Sequence, residues 1–318
     1  MSNSIREIGE NIKNSQNFRG RVSFDEPLCN HTTMKVGGPA ALFLEPADTL
    51  SAAEAFLKCF EAGVRVFVLG GGSNIVASDD GFCGAVISTE LMDSVTDEDF
   101  VLCCGAGAKI DSVLEYCAQR GIGGLETFAG LPATCGGAAY MNARCYSVDF
   151  SELIDRVEYI DLNELSQNSG ANVECCVKMY HNTGNGKEWD YKLSPFMGKR
   201  TVITRVYLSG KKKDCSEIKA ECEKYILDRT KKGHFRAPSA GSVFRNNREF
   251  GSPSGVLVDE AGLKGVSVGG AQIAPWHGNF IINTGKATAF DIKSLVELAE
   301  QKVFERTGFR MVPEIIFL

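Results

Sequence analysis

Four stretches of the chain place apolar residues three and four apart, the spacing of one helix face, and shorter apolar runs between them read as strands. Asp48 is placed to cap a helix with the stripe Leu50, Ala53, Leu57, Phe60, which Gly63 ends. Val64 to Leu69 reads as the next strand and runs into Gly70-Gly71-Gly72. Gly84 to Ser88 and Phe100 to Gly105 continue as strands, and Gly105-Ala106-Gly107 leads to a helix through Leu114 to Arg120. Val157 to Asp161, Val173 to Met179 and Thr201 to Leu208 are strand-like. After the charged stretch Lys211 to Asp214, a helix carries Ile218, Cys222, Tyr225 and Ile226 on one face. A last helix from Asp291 to Thr307 has the stripe Ile292, Leu295, Ala299, Val303; Gly308 stops it and Glu314 to Leu318 forms a closing strand. Short strands with interspersed helices predict an α+β fold, not a regular βαβ series, with a domain boundary near residue 212.

Composition narrows this little. With 318 residues, 44% apolar and 23% charged, the chain supports two or three compact domains. A net charge of −6 argues against broad nucleic-acid binding. Met1 to Phe18 is polar and resembles neither a signal peptide nor a membrane span, so a cytoplasmic protein is expected. The 12 cysteines are scattered and never form C-x-x-C, so they read as buried free thiols. The 4 histidines form no metal-like group, and no metal is expected.

The chemistry concentrates in three segments. Gly70 to Asn74 offers a row of backbone amides with no side chains in the way, an anion cradle; a plain tight turn explains the same residues. It is not a dinucleotide fingerprint, because G-x-G-x-x-G needs glycine where Ile75 stands, and no G-K-[ST] ending makes a P-loop. Gly123 to Ser147 is dense in small residues, among them Gly130, Ala133, Gly136, Gly137 and Ala138, which let backbone approach a flat ligand or pack a loop against a helix. Paired with the amide row, a large nucleotide cofactor with an aromatic ring system is favoured. In the third segment, Pro238 to Asn246, Ser242 is either a hydrogen-bonded structural serine or a proton relay. A hydrolase elbow is excluded by Ala240 and Phe244, where G-x-S-x-G needs glycines.

Asn30 to Ala40, Leu69 to Val76, Gly124 to Asn142, Pro238 to Asn246, Ala261 to Gly265, Gly269 to Gln272, His277 to Phe280 and Pro313-Glu314 follow one another in a specific order. In that order the chain resembles the UDP-N-acetylenolpyruvoylglucosamine reductase (MurB) family of peptidoglycan-synthesis flavoenzymes, from about residue 20 to the end. The spacing between the serine motif and Ala261-Gly262-Leu263 is similar to that of the type II branch.

The resemblance implies an N-terminal helical segment (1–19) and a two-lobed FAD-binding domain of the PCMH/vanillyl-alcohol-oxidase kind (20–90 and 91–212). A smaller α+β substrate-binding domain (213–318) follows. It implies non-covalent FAD, NADPH as reductant and a nucleotide-sugar substrate, UDP-N-acetylglucosamine enolpyruvate, for a monomeric enzyme of cell-wall synthesis with no nucleic-acid or membrane partner. By family match Ser242 is the proton donor and Glu314 acts on the enol side. Gly70, Gly71, Gly72, Ser73, Asn74, Gly130, Ala133, Gly136, Gly137, Asn142 and Arg144 lie at the cofactor, and Tyr191, Arg229, Lys232 and Asn246 at the substrate.

Two departures stand out. The family's Tyr-Arg-x-Ser is Tyr191-Lys192-Leu193-Ser194 here, so Lys192 keeps the enolate-stabilising charge but loses the planar fork of arginine. Arg144 stands at a usual glycine, where its guanidinium is expected to meet the flavin or the substrate carboxylate. Other readings stay open. The cluster Arg229, Lys231, Lys232, Arg236 also suits a solvated helix C-terminus, and His277 reads as structural. A covalent flavin at His31 and a flavin- or UDP-sugar-binding sensor without catalysis are the alternatives to the reductase.

Overall fold

The computed structural model describes residues 2–167, 176–184 and 188–318. The chain folds into two compact units: Met1–Glu26, Ala41–Gly71 and Cys83–Ile226 form the first, and Pro27–Ala40, Gly72–Phe82 and Leu227–Leu318 the second. It thus passes from one to the other inside the glycine triplet.

Among the described residues the first unit is built on two larger sheets, each with its own core. A four-stranded sheet runs in the order Gly20–Pro27, Pro39–Pro46, Phe82–Ser88, Val66–Leu69, with the last two strands parallel. Leu42, Leu44, Ala85 and Ile87 from this sheet pack with Ala52, Phe56 and Cys59 of the helix Thr49–Glu61. Asp48 caps that helix as expected, accepting from Ser51 N–H at 2.9 Å. The expected stripe is offset, however: Leu50 and Phe60 are 40% and 37% exposed, while Ala52, Ala55, Phe56 and Cys59 are buried. Small residues at a tightly packed face carry little hydrophobic signal, so the larger side chains misplace it.

The second sheet is antiparallel throughout, in the order Val177–His181, Ile154–Asp161, Thr201–Ser209, Val101–Gly105, Val95–Glu98. Its core gathers Leu102, Val157 and Val206 with Ile110 and Val113 of the helix Ile110–Arg120, and with Phe128 and Phe150 edge to face at 5.2 Å. The edge strand Val95–Glu98 alternates exposed polar positions and has no apolar run to announce it. The expected strand from Val173 falls partly outside the described residues; what is seen is Val177–His181. Lys211–Lys212, in the charged stretch, pairs with Ile122–Gly123.

The second unit is built on the antiparallel sheet Ser239–Ser242, Phe280–Asn283, Ala271–Ile273, Ser267–Val268, covered by the helix Ala289–Thr307. Ile292, Leu295, Ala299 and Val303 of that helix are all buried, as the periodicity requires, and Gly308 ends it at φ 76°. The segment Asn30 to Ala40 belongs with this sheet. Thr33 Oγ1 donates to Ser239 C=O at 2.7 Å, and Asn283 Nδ2 donates to Met34 C=O at 3.1 Å. The final strand is shorter than expected, Ile316–Phe317, and pairs in parallel with Ile75–Val76.

Candidate active site

The strand Val66–Leu69 ends and the chain turns through the triplet. Among the described residues, nothing accepts a hydrogen bond from the amide N–H groups of Gly70, Gly71, Gly72 or Ser73. Four consecutive unpaired donors are unusual, because backbone amides are nearly always satisfied. Gly72 sits at φ 62°, and a Cβ there would lie 2.0 Å from His31 O, so no other residue fits. A Cβ on Gly70 would lie 2.9 Å from Thr134 Oγ1 and 3.6 Å from Gly137 Cα, so the two small-residue segments approach closely. Thr134 caps the short helix Cys135–Tyr140, accepting from Gly137 N–H at 3.3 Å. These donors, with no carboxylate among them, fit the diphosphate of FAD.

Other expected cofactor residues have structural partners. Asn74 Nδ2 donates to Glu314 C=O at 2.9 Å. A Cβ on Gly136 would lie 2.7 Å from Ala106 Cβ, so this glycine serves packing. Gly130, at φ 74°, donates its N–H to Asp111 Oδ1, and Ala133 C=O accepts from Ile110 N–H.

Lys192 lies in the first unit, in a tight turn where Asp190 and Leu193 exchange backbone hydrogen bonds. Its φ is 57°. Three ties fix this turn to the segment 140–144. Asn142 Nδ2 donates to Asp190 C=O at 2.8 Å, Ser194 Oγ donates to Tyr140 C=O at 2.6 Å, and the Arg144 guanidinium sits 5.9 Å from the Tyr191 ring centre. Asn142 is thereby committed, its Oδ1 also accepting from Ser151 N–H. Arg144 pairs with Asp149 at 2.6 Å, both only partly exposed. Asp149 gave no sequence signal of its own, yet it orients the one guanidinium in this segment.

Ser242 and Glu314 come together in the second unit. Ser242 pairs with Phe280 at the end of its strand, is half-buried, and its hydroxyl has no hydrogen-bond partner among the described residues. Glu314, 9% exposed, donates its N–H to Val243 C=O at 2.7 Å, and Pro313 bridges Phe244. The end of the chain thus returns beside the serine.

The expected substrate residues are placed unequally. Tyr191 precedes Lys192 in its turn. Asn246 is exposed, with its Oδ1 accepting from Ser254 N–H at 2.9 Å. Lys232 pairs with Asp228 at 2.6 Å, one helical turn earlier. Arg229 is a correction to the exposed cationic cluster: it is 7% exposed, buried beneath the helix end. Arg236 stacks on Trp276 at 5.2 Å. His277 Nδ1 accepts from Asn279 N–H, and burial lowers the pKa of His277 and lowers that of its neighbour His234 to about 4, so both are neutral near pH 7.

Among the described residues six cysteines are buried as expected, with burial pushing Cys59 and Cys117 up to about 12, whereas Cys83 and Cys215 are exposed. Among the described residues no helix is long and apolar enough to cross a membrane, and no group of three or more His, Cys, Asp or Glu is placed to hold a metal.

A family model described as "FAD binding domain" matches residues 40–164, and one described as "UDP-N-acetylenolpyruvoylglucosamine reductase, C-terminal domain" matches residues 233–318. The UDP-N-acetylenolpyruvoylglucosamine reductase of Treponema denticola is 39% identical over 314 residues, spanning 94% of this chain and 94% of its own. That of Treponema pallidum is 35% identical over 324 residues and spans 92% of each. Among solved structures, UDP-N-acetylenolpyruvylglucosamine reductase (MurB) from Thermus caldophilus superposes with a TM-score of 0.71 at 30% identity, over 94% of this chain and 99% of that one.

Proposed function

We propose, because the chain belongs to the UDP-N-acetylenolpyruvoylglucosamine reductase family, a division of labour among its residues for that FAD-dependent reduction in peptidoglycan synthesis. When bound, without a covalent link, FAD supplies a hydride, renewed from NADPH, to the enolpyruvyl double bond of UDP-N-acetylglucosamine enolpyruvate, and UDP-N-acetylmuramate results. The amides of Gly70 to Ser73 hold the cofactor's diphosphate, and the segment from Gly130 to Arg144 shapes the flavin side. Residues 20–90 and 91–212 serve as the two FAD lobes, and 213–318 as the substrate domain.

Hydride arriving at the β-carbon leaves negative charge on the carboxylate side, and that charge must be stabilised while the α-carbon receives a proton. Ser242 Oγ gives that proton and recovers one from solvent. Glu314 polarises the carboxyl or assists the relay. Lys192 supplies the positive charge, and Arg144, aimed by Asp149 and beside Tyr191, supplies the guanidinium that Lys192 lacks. Tyr191, Lys232 and Asn246 bind substrate. Arg229, being buried, supports the helix end from which Lys232 projects.

The observation that carries this reading is the half-buried Ser242 hydroxyl, without a partner among the described residues and one residue from the backbone pairing of Glu314. A fully buried structural serine would be hydrogen-bonded, whereas this hydroxyl is left for solvent or a ligand. The test is Ser242→Ala, with the two half-reactions followed separately through the flavin absorbance. Bleaching by NADPH should stay within about twofold, while reoxidation by substrate should slow at least about a hundredfold, the lower range for a lost general acid. Reoxidation at the wild-type rate would refute the assignment.

A further inference from the structure

We propose that Asn279 is the positioning residue for Ser242; the inference rests on the proton-donor reading of Ser242. Pairing along the strand Ser239–Ser242 is irregular. Ser239 faces Ile282 and Ser242 faces Phe280, three steps on one strand against two on the other, with Gly241 at φ 72° inside the bulge. Such a bulge re-aims the side chain that follows it.

Beyond Ser242 the regular ladder stops and Asn279 takes its place. Its main-chain carbonyl accepts from Val243 N–H at 2.9 Å. Its Oδ1 accepts from Phe244 N–H at 2.9 Å, and its Nδ2 donates to Phe244 C=O at 2.8 Å. One side chain therefore satisfies both main-chain groups of Phe244, as a neighbouring strand would. Asn279 is only 4% exposed, so water cannot substitute. On the other edge, Glu314 N–H binds Val243 C=O at 2.7 Å and Arg245 N–H binds Val312 C=O at 3.0 Å. The segment leaving Ser242 is clamped from both sides, by Asn279 on one and by the 312–314 backbone on the other. Because the Ser242 hydroxyl has no partner of its own among the described residues, its direction depends on this backbone alone. A proton donor displaced by a fraction of an ångström loses its advantage.

The experiment uses the flavin-loaded protein and the same two half-reactions. Asn279→Asp keeps the shape and the acceptor for Phe244 N–H but replaces the donor to Phe244 C=O with a carboxylate oxygen; Asn279→Ala removes both. Each should slow reoxidation by substrate at least about tenfold, given that a displacement near 1 Å can cost about a hundredfold. Bleaching by NADPH and FAD affinity should stay within twofold of wild type. In Ser242→Ala, adding Asn279→Asp should slow reoxidation no further, because nothing is left to aim. Multiplying losses, equal slowing of both half-reactions, or no loss at all would overturn the inference. If Asn279→Ala does not fold, the isosteric Asn279→Asp alone and in the double variant decides. If Ser242→Ala itself leaves reoxidation intact, the reading of Ser242 has failed and this inference falls with it, an outcome distinct from the others.

Discussion

The sharpest local difference from the family pattern is a charge kept with its geometry changed. In its proposed role Lys192 offers a compact ammonium where an arginine fork could grip a carboxylate at two points. Its turn is nonetheless fixed by Asn142 and Ser194, and its backbone sits in the left-handed region at φ 57°. A non-glycine residue held there costs about 1–3 kcal/mol, which the surrounding ties must offset. Arg144 beside Tyr191 was legible as a departure from glycine, but its partner Asp149 was not, because an ion pair closed by a hairpin has no sequence signature. Lys192→Arg should raise the reoxidation rate, by up to about a hundredfold if the missing fork behaves as a lost oxyanion donor. Arg144→Ala should raise the substrate KM or lower turnover in steady-state NADPH oxidation. A slower Lys192→Arg enzyme would show a pocket built around lysine, and an unchanged Arg144→Ala enzyme would remove that residue from the site.

Among the elements, the helix Ala289–Thr307 shows how a recognised motif resolves into mechanics. The sequence pointed to Asp291 as its start, whereas Thr288 is the cap, accepting from Asp291 N–H while Asp291 returns a hydrogen bond from Thr288 N–H. The same carboxylate accepts from Gly270 N–H, and a Cβ on Gly269 would lie 2.3 Å from Asp291 Oδ1. The Gly269-Gly270 pair is therefore the hairpin that seats on this helix start. Those N–H groups hold the Asp291 carboxyl below the usual carboxylate range. Asp291→Ala should destabilise the protein by about 1 kcal/mol, as for a lost cap, and lower Tm by about 2–4 °C in thermal unfolding. Both half-reactions should be unchanged; if they slow, Asp291 does more than seat the helix. Helices with strong apolar side chains were legible to within a residue or two. The helix Thr49–Glu61 was found but turned, since Ala52 and Ala55 pack it without advertising a face.

Over the whole molecule, what the sequence carried was order, and what it could not carry was proximity. The glycine triplet, the serine segment and Pro313-Glu314 were each visible alone, and their succession pointed to the reductase family that the relatives establish. That Asn74 holds the Glu314 carbonyl, 240 residues away, or that Asn279 replaces a strand for Phe244, follows only from the fold. The triplet itself gained meaning from the structure. A hydrogen-bonded tight turn would satisfy one of these amides, yet those of Gly70 to Ser73 have no acceptor among the described residues. The proposed role of these donors is to hold FAD in an enzyme that passes reducing equivalents from NADPH to an enolpyruvyl nucleotide sugar. The most direct measurement is made on the purified chain: its visible spectrum, its colour after acid precipitation, and NADPH oxidation with and without UDP-N-acetylglucosamine enolpyruvate. A yellow protein that releases its flavin into the acid supernatant, and whose sustained NADPH oxidation requires the substrate, is the predicted result. A protein that takes up no flavin, or that consumes NADPH equally with and without the substrate, would contradict the account.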